Sequence, residues 1–315
     1  MIDFTIQAYR RILKALQQQG FSFLTFEEFV KDSSGNKNIA LRHDVDFLPA
    51  NSLQFARIQA ELGIKGTYYF RIISGSFDER IIEEISSLGH EIGYHYEDLS
   101  FADAKLRAQG AGHRAQGEEI EKKLVNIGIQ SFIKNLEKLR RIVPVKTICM
   151  HGSPLSKWDS RLLWKYYDYH DFGIVGEPYF DIDFKEVLYL TDTGRRWDGG
   201  QVSIRDKAQG TGLRAEGMDP YKDWKVKPIG ISGRKPHAAH RSEAEIPLRR
   251  DRTPFSKFHS TLDIIKAAEE GLLPDKILMT FHPQRWSDKT FPWVKELAWQ
   301  NVKNIAKYFL VKLRN

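Results

Sequence analysis

Cysteine is nearly absent from this chain of 315 residues, since Cys149 is the only one. A single cysteine excludes an intrachain disulfide and is typical of proteins in a reducing compartment. Long apolar runs are missing too: no stretch approaches the roughly 18 uninterrupted apolar residues of a membrane-spanning helix. The first residues alternate polar and apolar at helical spacing and lack the cleavage site of a signal peptide. We therefore expect a cytoplasmic protein without stable membrane insertion.

An excess of positive charge is confined largely to one segment. The chain carries a formal net charge of +7, and residues 205–254 hold twelve Lys or Arg against seven Asp or Glu. This segment is rich in Gly and Pro and contains no recognisable element that reads nucleic acid. We expect a solvated loop there, so nucleic acid is not an expected partner.

The C-terminal segment 293–315 carries apolar residues at helical spacing with lysines between them. We expect an amphipathic helix that packs on the body of the protein. A helix that lies on a membrane surface is the alternative.

Short β-branched or aromatic runs alternate with segments of helical period, which is typical of parallel strands joined by helical crossovers. The predicted strands lie within 38–46, 66–72, 91–96, 145–152, 172–180, 186–192 and 276–283. Polar residues follow several of them, and the strand ends of a (β/α) barrel converge on one mouth. An open doubly wound sheet is the competing arrangement. We expect an α/β fold of the barrel type that forms a single domain over residues 1–315.

Two related segments interrupt this rhythm. "AQGAGHRAQG" at 108–117 and "AQGTGLRAEG" at 208–217 match at seven of ten positions. Neither sustains a helical or strand period. We expect two inserted low-complexity loops, at about 105–117 and 206–250.

The stretch "LRHDVD" at 41–46 places two carboxylates directly after an apolar run. Side chains alternate along a strand, so Asp44 and Asp46 share one face while His43 lies on the other. Two close carboxylates repel each other unless a cation compensates them. A divalent metal explains the pair, and a helix cap is the alternative role for Asp46.

Three histidines, His95, His151 and His282, each end a different predicted strand. Imidazole together with carboxylate suits zinc or a similar divalent ion, and a catalytic site keeps one position open for water. The sequence therefore predicts a metal cofactor, with zinc as the first choice.

Six motifs, taken in order along the chain, resemble those of the NodB-homology polysaccharide deacetylases, carbohydrate esterase family 4. They are "RHDVD", "GTYYF", "GHEIGYH", "MHGSP", "LTDTGRRWD" and "ILMTFHP", and they span most of the chain except the two inserts. The resemblance implies a distorted (β/α) barrel of the NodB-homology type. It also implies a metal-dependent hydrolase that removes an N-acetyl group from a sugar in a polysaccharide or its precursor.

The resemblance also implies roles for individual residues. Asp44 would be the general base, Asp46 and His95 metal ligands, and His282 the general acid. The carbohydrate substrate would contact a groove for which the candidate residues are Trp158, Arg196, Trp197 and Trp286.

This chain departs from the family pattern at the second metal histidine, whose position is occupied by Leu99. His151 is our candidate replacement, and Asp98 and Glu97 are its rivals. A carbohydrate-binding barrel that has lost catalysis together with this histidine is the alternative function.

The family arginine that steadies the base is also missing from "MHGSP". Arg42, Arg195 or Arg196 can take its place.

Overall fold

The fold is built from parallel strands that alternate with helices. The structure is a computed structural model, and it describes residues 2–31, 34–108, 118–152, 158–197 and 258–314. Within these ranges the strands are β1 (Ser22–Leu24), β2 (Asn38–Val45), β3 (Thr67–Phe70), β4 (Glu91–Tyr96), β5 (Ile148–Met150), β6 (Leu188–Thr191) and β7 (Lys276–Phe281). The helices are α1 (Ile6–Gln18), α2 (Phe26–Lys31), α3 (Pro49–Glu61), α4 (Glu79–Ser87), α5 (Asp98–Ala108), α6 (Glu118–Arg140), α7 (Leu163–Tyr166), α8 (Pro178–Asp181), α9 (Thr261–Glu269) and α10 (Thr290–Arg314).

The strands of the described ranges form one parallel sheet. Its order is β5-β4-β3-β2-β7-β6, and β1 pairs with the first half of β2. At the centre, Arg42 of β2 lies opposite Thr67 of β3 and Thr280 of β7. Because the strands run parallel, their carboxyl ends lie along one edge of the sheet.

Strand β2 is buried along its whole length, and its two faces meet different surroundings. One face carries His43 and three aliphatic side chains of the main core, Ile39, Leu41 and Val45. On the other face, Ala40 packs into a smaller cluster with Phe26, Tyr69, Cys149 and Leu278. Arg42 and Asp44 follow Ala40 on this second face, as alternation along a strand requires. The small cluster is therefore the floor beneath the polar strand ends.

Side-chain caps fix the starts of several helices. Thr5 accepts a hydrogen bond from the Ala8 amide at α1, and Asp78 accepts one from the Ile81 amide at α4. Such caps satisfy amides that have no partner within the helix. No helix in the described part of the chain is long and apolar enough to cross a membrane.

The α/β class with parallel strands is confirmed, but the sheet is not a closed barrel. Strands β5 and β6 are the two ends of the order, and no ladder within the described ranges joins them. The result is a half-barrel that is compatible with a distorted (β/α) barrel.

Two local predictions were wrong. The segment 172–180 is not a strand: it begins in a 3-10 turn, contributes one isolated bridge from Gly176 to Thr147, and ends in α8. Residues 105–108 belong to helix α5 rather than to an insert. The rest of the two expected inserts, 109–117 and 206–250, lies outside the described residues.

Candidate metal centre

The polar side chains singled out in the sequence converge at the carboxyl edge of the sheet. Asp46 directly follows β2, His95 is the penultimate residue of β4, His151 follows β5 and His282 follows β7. These four strands are not all neighbours in the sequence, but the sheet order brings their ends to one place. The site therefore depends on the parallel topology.

Asp46, His95 and His151 form a group with the spacing of metal ligands. Asp46 Oδ1 lies 3.5 Å from His95 Nε2 and 3.6 Å from His151 Nε2. One ligand atom from each residue falls within 4.8 Å of the others. Zinc bonds of about 2.0–2.2 Å in a tetrahedron place ligand atoms about 3.3–3.6 Å apart. Asp46 Oδ1 is also buried without a hydrogen-bond partner, so these residues fit a divalent ion.

Neighbouring groups set the direction of the two imidazoles. His95 Nδ1 donates to the Cys149 carbonyl oxygen at 2.9 Å, which leaves Nε2 toward the carboxylates. His151 Nδ1 lies 3.0 Å from Glu97 Oε2, and Arg71 holds Glu97 through two hydrogen bonds of 2.6 and 2.7 Å. The hydrogen bond to Cys149 fixes the His95 ring toward a metal, and the contact of His151 Nδ1 with Glu97 is electrostatic, without the geometry of a hydrogen bond.

The Asp44 carboxylate is fixed by an arginine of its own strand. Arg42 Nε and Nη2 donate to the two Asp44 oxygens at 2.8 and 2.7 Å, and both side chains are buried. Burial by itself would raise the pKa of Asp44, but the charge of Arg42 outweighs it and lowers the pKa to about 2. Of the arginines considered in the sequence, Arg42 is therefore the one that holds Asp44 and keeps it ionised.

Asp46 has no such arginine and relies on histidines. Burial would raise its pKa, but the three surrounding imidazoles hold the pKa of Asp46 well below its usual range. Burial in turn opposes a charge on His95, yet the carboxylates of Asp44 and Asp46 raise the pKa of that imidazole. The site thus stabilises positive charge between the two aspartates, which is the charge that a metal would supply.

His282 is held by an aspartate at the end of the neighbouring strand. His282 Nδ1 donates to Asp192 Oδ1 at 2.5 Å, and the His282 amide donates to Asp192 Oδ2 at 2.9 Å. The indole of Trp286 also donates to Asp192 Oδ2, at 2.6 Å. His282 Nε2 then points to the site, 3.9 Å from Asp44 Oδ2 and 4.0 Å from Asp46 Oδ2.

Two expected groove residues lie in the core instead. Trp286 is 1% exposed and Trp197 is 4% exposed, and the two rings pack together with Phe281. The indole of Trp197 donates to the Thr261 hydroxyl, as that of Trp286 does to Asp192. The prediction that these two rings line a substrate groove is therefore wrong. Trp158 is half-buried and Arg196 is exposed, so a substrate-binding role for them stays a prediction.

The rivals of His151 are engaged elsewhere. Asp98 accepts hydrogen bonds from Tyr94, Ser131 and Asn135 between α5 and α6. Glu97 supports His151 from behind. Leu99, at the family position of the second histidine, is fully buried in the core.

A second group of metal-ligating atoms overlaps the first. Asp44, His95 and Cys149 also place one ligand atom each within 4.8 Å of one another. Arg42 already engages both Asp44 oxygens, and burial raises the pKa of the Cys149 thiol well above its ordinary value. Asp46, His95 and His151 are therefore the better ligand set.

His43 lies on the opposite face of β2, as the alternation predicts. Its Nδ1 donates to the Thr67 carbonyl oxygen at 3.0 Å, and its Nε2 lies 3.0 Å from the Tyr9 hydroxyl and 3.2 Å from the Gln59 amide. Burial lowers the pKa of His43 to about 3, so the ring is neutral. It ties β2 to helices α1 and α3 beneath the site.

Sequence reasoning did not assign a role to Asp192. The residue ends β6 in the motif "LTDTGRRWD", as the other site residues end their strands, and that position was the available signal. Its partnership with His282 depends on the pairing of β6 with β7, which joins segments far apart in the sequence.

Comparisons with known proteins add little to this geometry. No family model matches the chain, and no curated protein matches it in sequence. Among solved structures it is similar to the Streptococcus pyogenes deacetylase PplD in complex with acetate, with 13% identity and a TM-score of 0.32. The likeness covers 51% of this chain and 70% of that chain. A TM-score this low carries no weight for activity.

Proposed function

We propose that the protein is a metal-dependent hydrolase that removes an N-acetyl group from a sugar in a polysaccharide or its precursor. The observation that carries the proposal is the placement of Asp44 and His282 together beside the Asp46–His95–His151 group. A carboxylate and an imidazole 3.9 Å apart beside three preformed ligands provide a base, an acid and a metal site together.

A divalent ion would be held by Asp46, His95 and His151. When bound, such an ion supplies Lewis-acid polarisation of a carbonyl and makes water a stronger nucleophile at neutral pH. Zinc suits this set of one carboxylate and two imidazoles.

Asp44 is the proposed general base. It is ionised at neutral pH, and Arg42 holds both of its oxygens in a fixed orientation. Asp44 Oδ2 also faces His95 Nε2 at 3.7 Å, so it borders the same space as the ligand atoms. A carboxylate in this position accepts the proton of a water that attacks the acetyl carbonyl.

His282 is the proposed general acid. Asp192 accepts the Nδ1 proton, which leaves Nε2 facing the reacting groups. A protonated Nε2 donates to the nitrogen of the breaking amide bond, so that the product leaves as an amine. The Asp192 carboxylate stabilises the positive charge that this role requires.

The sugar substrate is supported by the motifs of the sequence rather than by a bound ligand. The motif order resembles that of the polysaccharide deacetylases. Trp158 precedes β6 in the chain, and Arg196 follows it. An aromatic ring and a guanidinium group are suited to contact a sugar ring and its polar substituents.

The experiment compares acetate release from chitin-type N-acetylglucosamine oligosaccharides by zinc-loaded and chelator-treated protein. We expect turnover that is lost with the chelator and restored by zinc. Protein that binds zinc and the oligosaccharide but releases no acetate would favour the carbohydrate-binding alternative. Protein that binds neither would contradict both functions.

A further inference from the structure

Helix α10 exposes several apolar side chains within residues 291–302. Phe291 is 78% exposed, Val294 50%, Trp299 56% and Val302 57%. Ala298 lies between them and is exposed as well. The spacing of 291, 294, 298 and 302 is that of one helical face.

The opposite side of α10 is tied to the body by polar contacts. The Trp293 indole donates to the Asp3 carbonyl oxygen at 2.8 Å. Gln300, on this side as well, is 5% exposed and donates to Glu296 one turn earlier in the same helix. A surface helix of a globular protein ordinarily buries its apolar face and exposes its polar one. Between residues 290 and 303, α10 exposes a second apolar face in addition to the side that holds Trp293.

The start of α10 lies on the side of the molecule that carries the metal centre. Arg195 Nη1 donates to the Trp293 carbonyl oxygen at 3.1 Å, and the Arg195 amide donates to the Asp192 carbonyl oxygen at 2.9 Å. Asp192 is the residue that holds His282. The start of α10 is thus fixed to the carboxyl edge of the sheet.

Two more apolar side chains are exposed at this edge. Phe47 and Leu48 directly follow Asp46 and are 56% and 49% exposed. Leu48 has a φ of +51°, a left-handed conformation that costs a leucine roughly 1 kcal/mol or more. The Leu48 amide donates to the Gly75 carbonyl oxygen, which holds this turn in place.

Basic residues accompany the apolar face. Helix α10 contains five Lys or Arg and one Glu in its sequence, and Lys289 and Lys295 are exposed beside the apolar side chains. Two copies of the chain that met through this face would bring their lysines together, which opposes a dimer. An anionic surface complements the same charges.

We propose that the outward face of α10, together with Phe47 and Leu48, docks the protein on an anionic lipid bilayer, with the metal centre turned toward the membrane surface. Trp299 and Phe291 would enter the interfacial region, where aromatic rings are favoured, and the lysines would face lipid phosphates. The protein binds peripherally in this arrangement, without a spanning segment. The inference does not depend on the proposed catalytic activity.

The test is co-sedimentation of the full chain with vesicles of phosphatidylcholine that contain about one third phosphatidylglycerol, beside vesicles of phosphatidylcholine alone. We expect binding to the anionic vesicles that weakens as salt rises from about 0.1 M to about 1 M. Val294→Gln/Trp299→Gln should weaken the partition at least about tenfold, since two apolar groups no longer leave water. Lys289→Glu/Lys295→Glu should weaken binding to the anionic vesicles alone.

Leu272→Gln is the matched control, because Leu272 is 54% exposed but precedes β7, at the opposite edge of the sheet. It should bind like the unmodified chain. Light scattering on the same samples gives the oligomeric state. The proposal would be overturned if the unmodified chain did not bind anionic vesicles, or if both double variants bound them as tightly as the unmodified chain. A dimer that Val294→Gln/Trp299→Gln converts to a monomer would also overturn it.

Discussion

Asp44 and Asp46 stand two residues apart on one strand, yet their surroundings give them different chemistry. Arg42 donates one hydrogen bond to each oxygen of Asp44 and compensates the charge of that carboxylate. Asp46 Oδ1 instead lies unpartnered between two imidazoles. The guanidinium partner of Asp44 therefore distinguishes the proposed base from the proposed metal ligand.

This division predicts opposite outcomes for the two amide variants. Asp44→Asn should keep zinc at full stoichiometry and lose about a hundred- to ten-thousand-fold in turnover, because an amide cannot accept the proton. Asp46→Asn should lose zinc first. The measurement is zinc content and acetate release for both variants. Full turnover by Asp44→Asn, or loss of zinc from it alone, would show that the roles are reversed.

His43 predicts a pH dependence of stability. Its pKa is about 3 in the folded state because of burial, against about 6.5 when unfolded. Between these values the unfolded chain binds more protons, so stability falls by about 1.4 kcal/mol for each unit by which the pH is lowered. The advantage of the unmodified chain over His43→Gln should therefore shrink by about 2 kcal/mol from pH 7 to pH 5.

Urea unfolding at the two pH values measures this difference. Zinc binding serves as the control, because His43 lies on the far face of β2 and its variant should keep the metal. An unchanged gap in stability between the two chains would mean that His43 is not a buried neutral ring.

Arrangements that depend on residues close together in the sequence were predicted well. The separation of His43 from the two aspartates follows from strand alternation, a local property. The convergence of Asp46, His95 and His151 follows from parallel strands ending at one edge. Asp192 was missed because its role requires the pairing of β6 with β7.

At the scale of single elements, strand β4 positions His95 through a close contact. A Cβ at Gly93 would collide with the Tyr69 ring of β3 and lie 3.1 Å from the Thr147 carbonyl oxygen. Tyr69 belongs to the small cluster under the site. Gly93 therefore allows β3 and β4 to keep a large ring in the floor of the metal centre.

Gly93→Ala should destabilise the protein by about 1–3 kcal/mol, because the Tyr69 ring must move in a packed interior. Tyr69→Leu removes the ring that the new methyl group meets. The double variant Gly93→Ala/Tyr69→Leu should then lose less stability than the sum of the single variants. Denaturant midpoints of the three variants measure these losses. Additive losses in the double variant would contradict the close contact between position 93 and the Tyr69 ring.

Element assignments succeeded where the period was clear and failed where packing decides. The strands that hold the site were predicted within a few residues. The apolar run 172–180 reads as a strand, but Glu177 accepts hydrogen bonds from the Met150 and Tyr179 amides and starts helix α8 there. Trp197 and Trp286 show the same ambiguity, since an aromatic residue after a strand can line a groove or fill a core.

At the scale of the whole molecule, the candidate site lies on the described half-barrel. The sheet is open between β5 and β6, and sequence rhythm alone does not distinguish a closed barrel from an open one. All residues assigned to the metal centre lie within the described ranges.

Replacement of residues 206–250 by a short Gly/Ser linker should therefore leave a protein that unfolds cooperatively and binds zinc with unchanged stoichiometry. The segment lies outside the described residues, and its sequence shows no core-forming period. Thermal unfolding and zinc content of the deletion variant are the measurements. Loss of either would show that the segment contributes to the fold or to the site.

We propose that His151, which directly follows β5, completes the metal centre, since Leu99 stands where the resemblance to the deacetylases implies a second histidine. The most direct measurement is zinc titration of metal-free protein for the unmodified chain, His151→Ala and His170→Ala. His170→Ala is the control, because His170 is an exposed surface histidine paired with Asp168. We predict one zinc per chain for the unmodified protein and for His170→Ala, and affinity at least about a hundredfold lower for His151→Ala. Equal zinc affinity in His151→Ala and the unmodified chain would contradict this assignment.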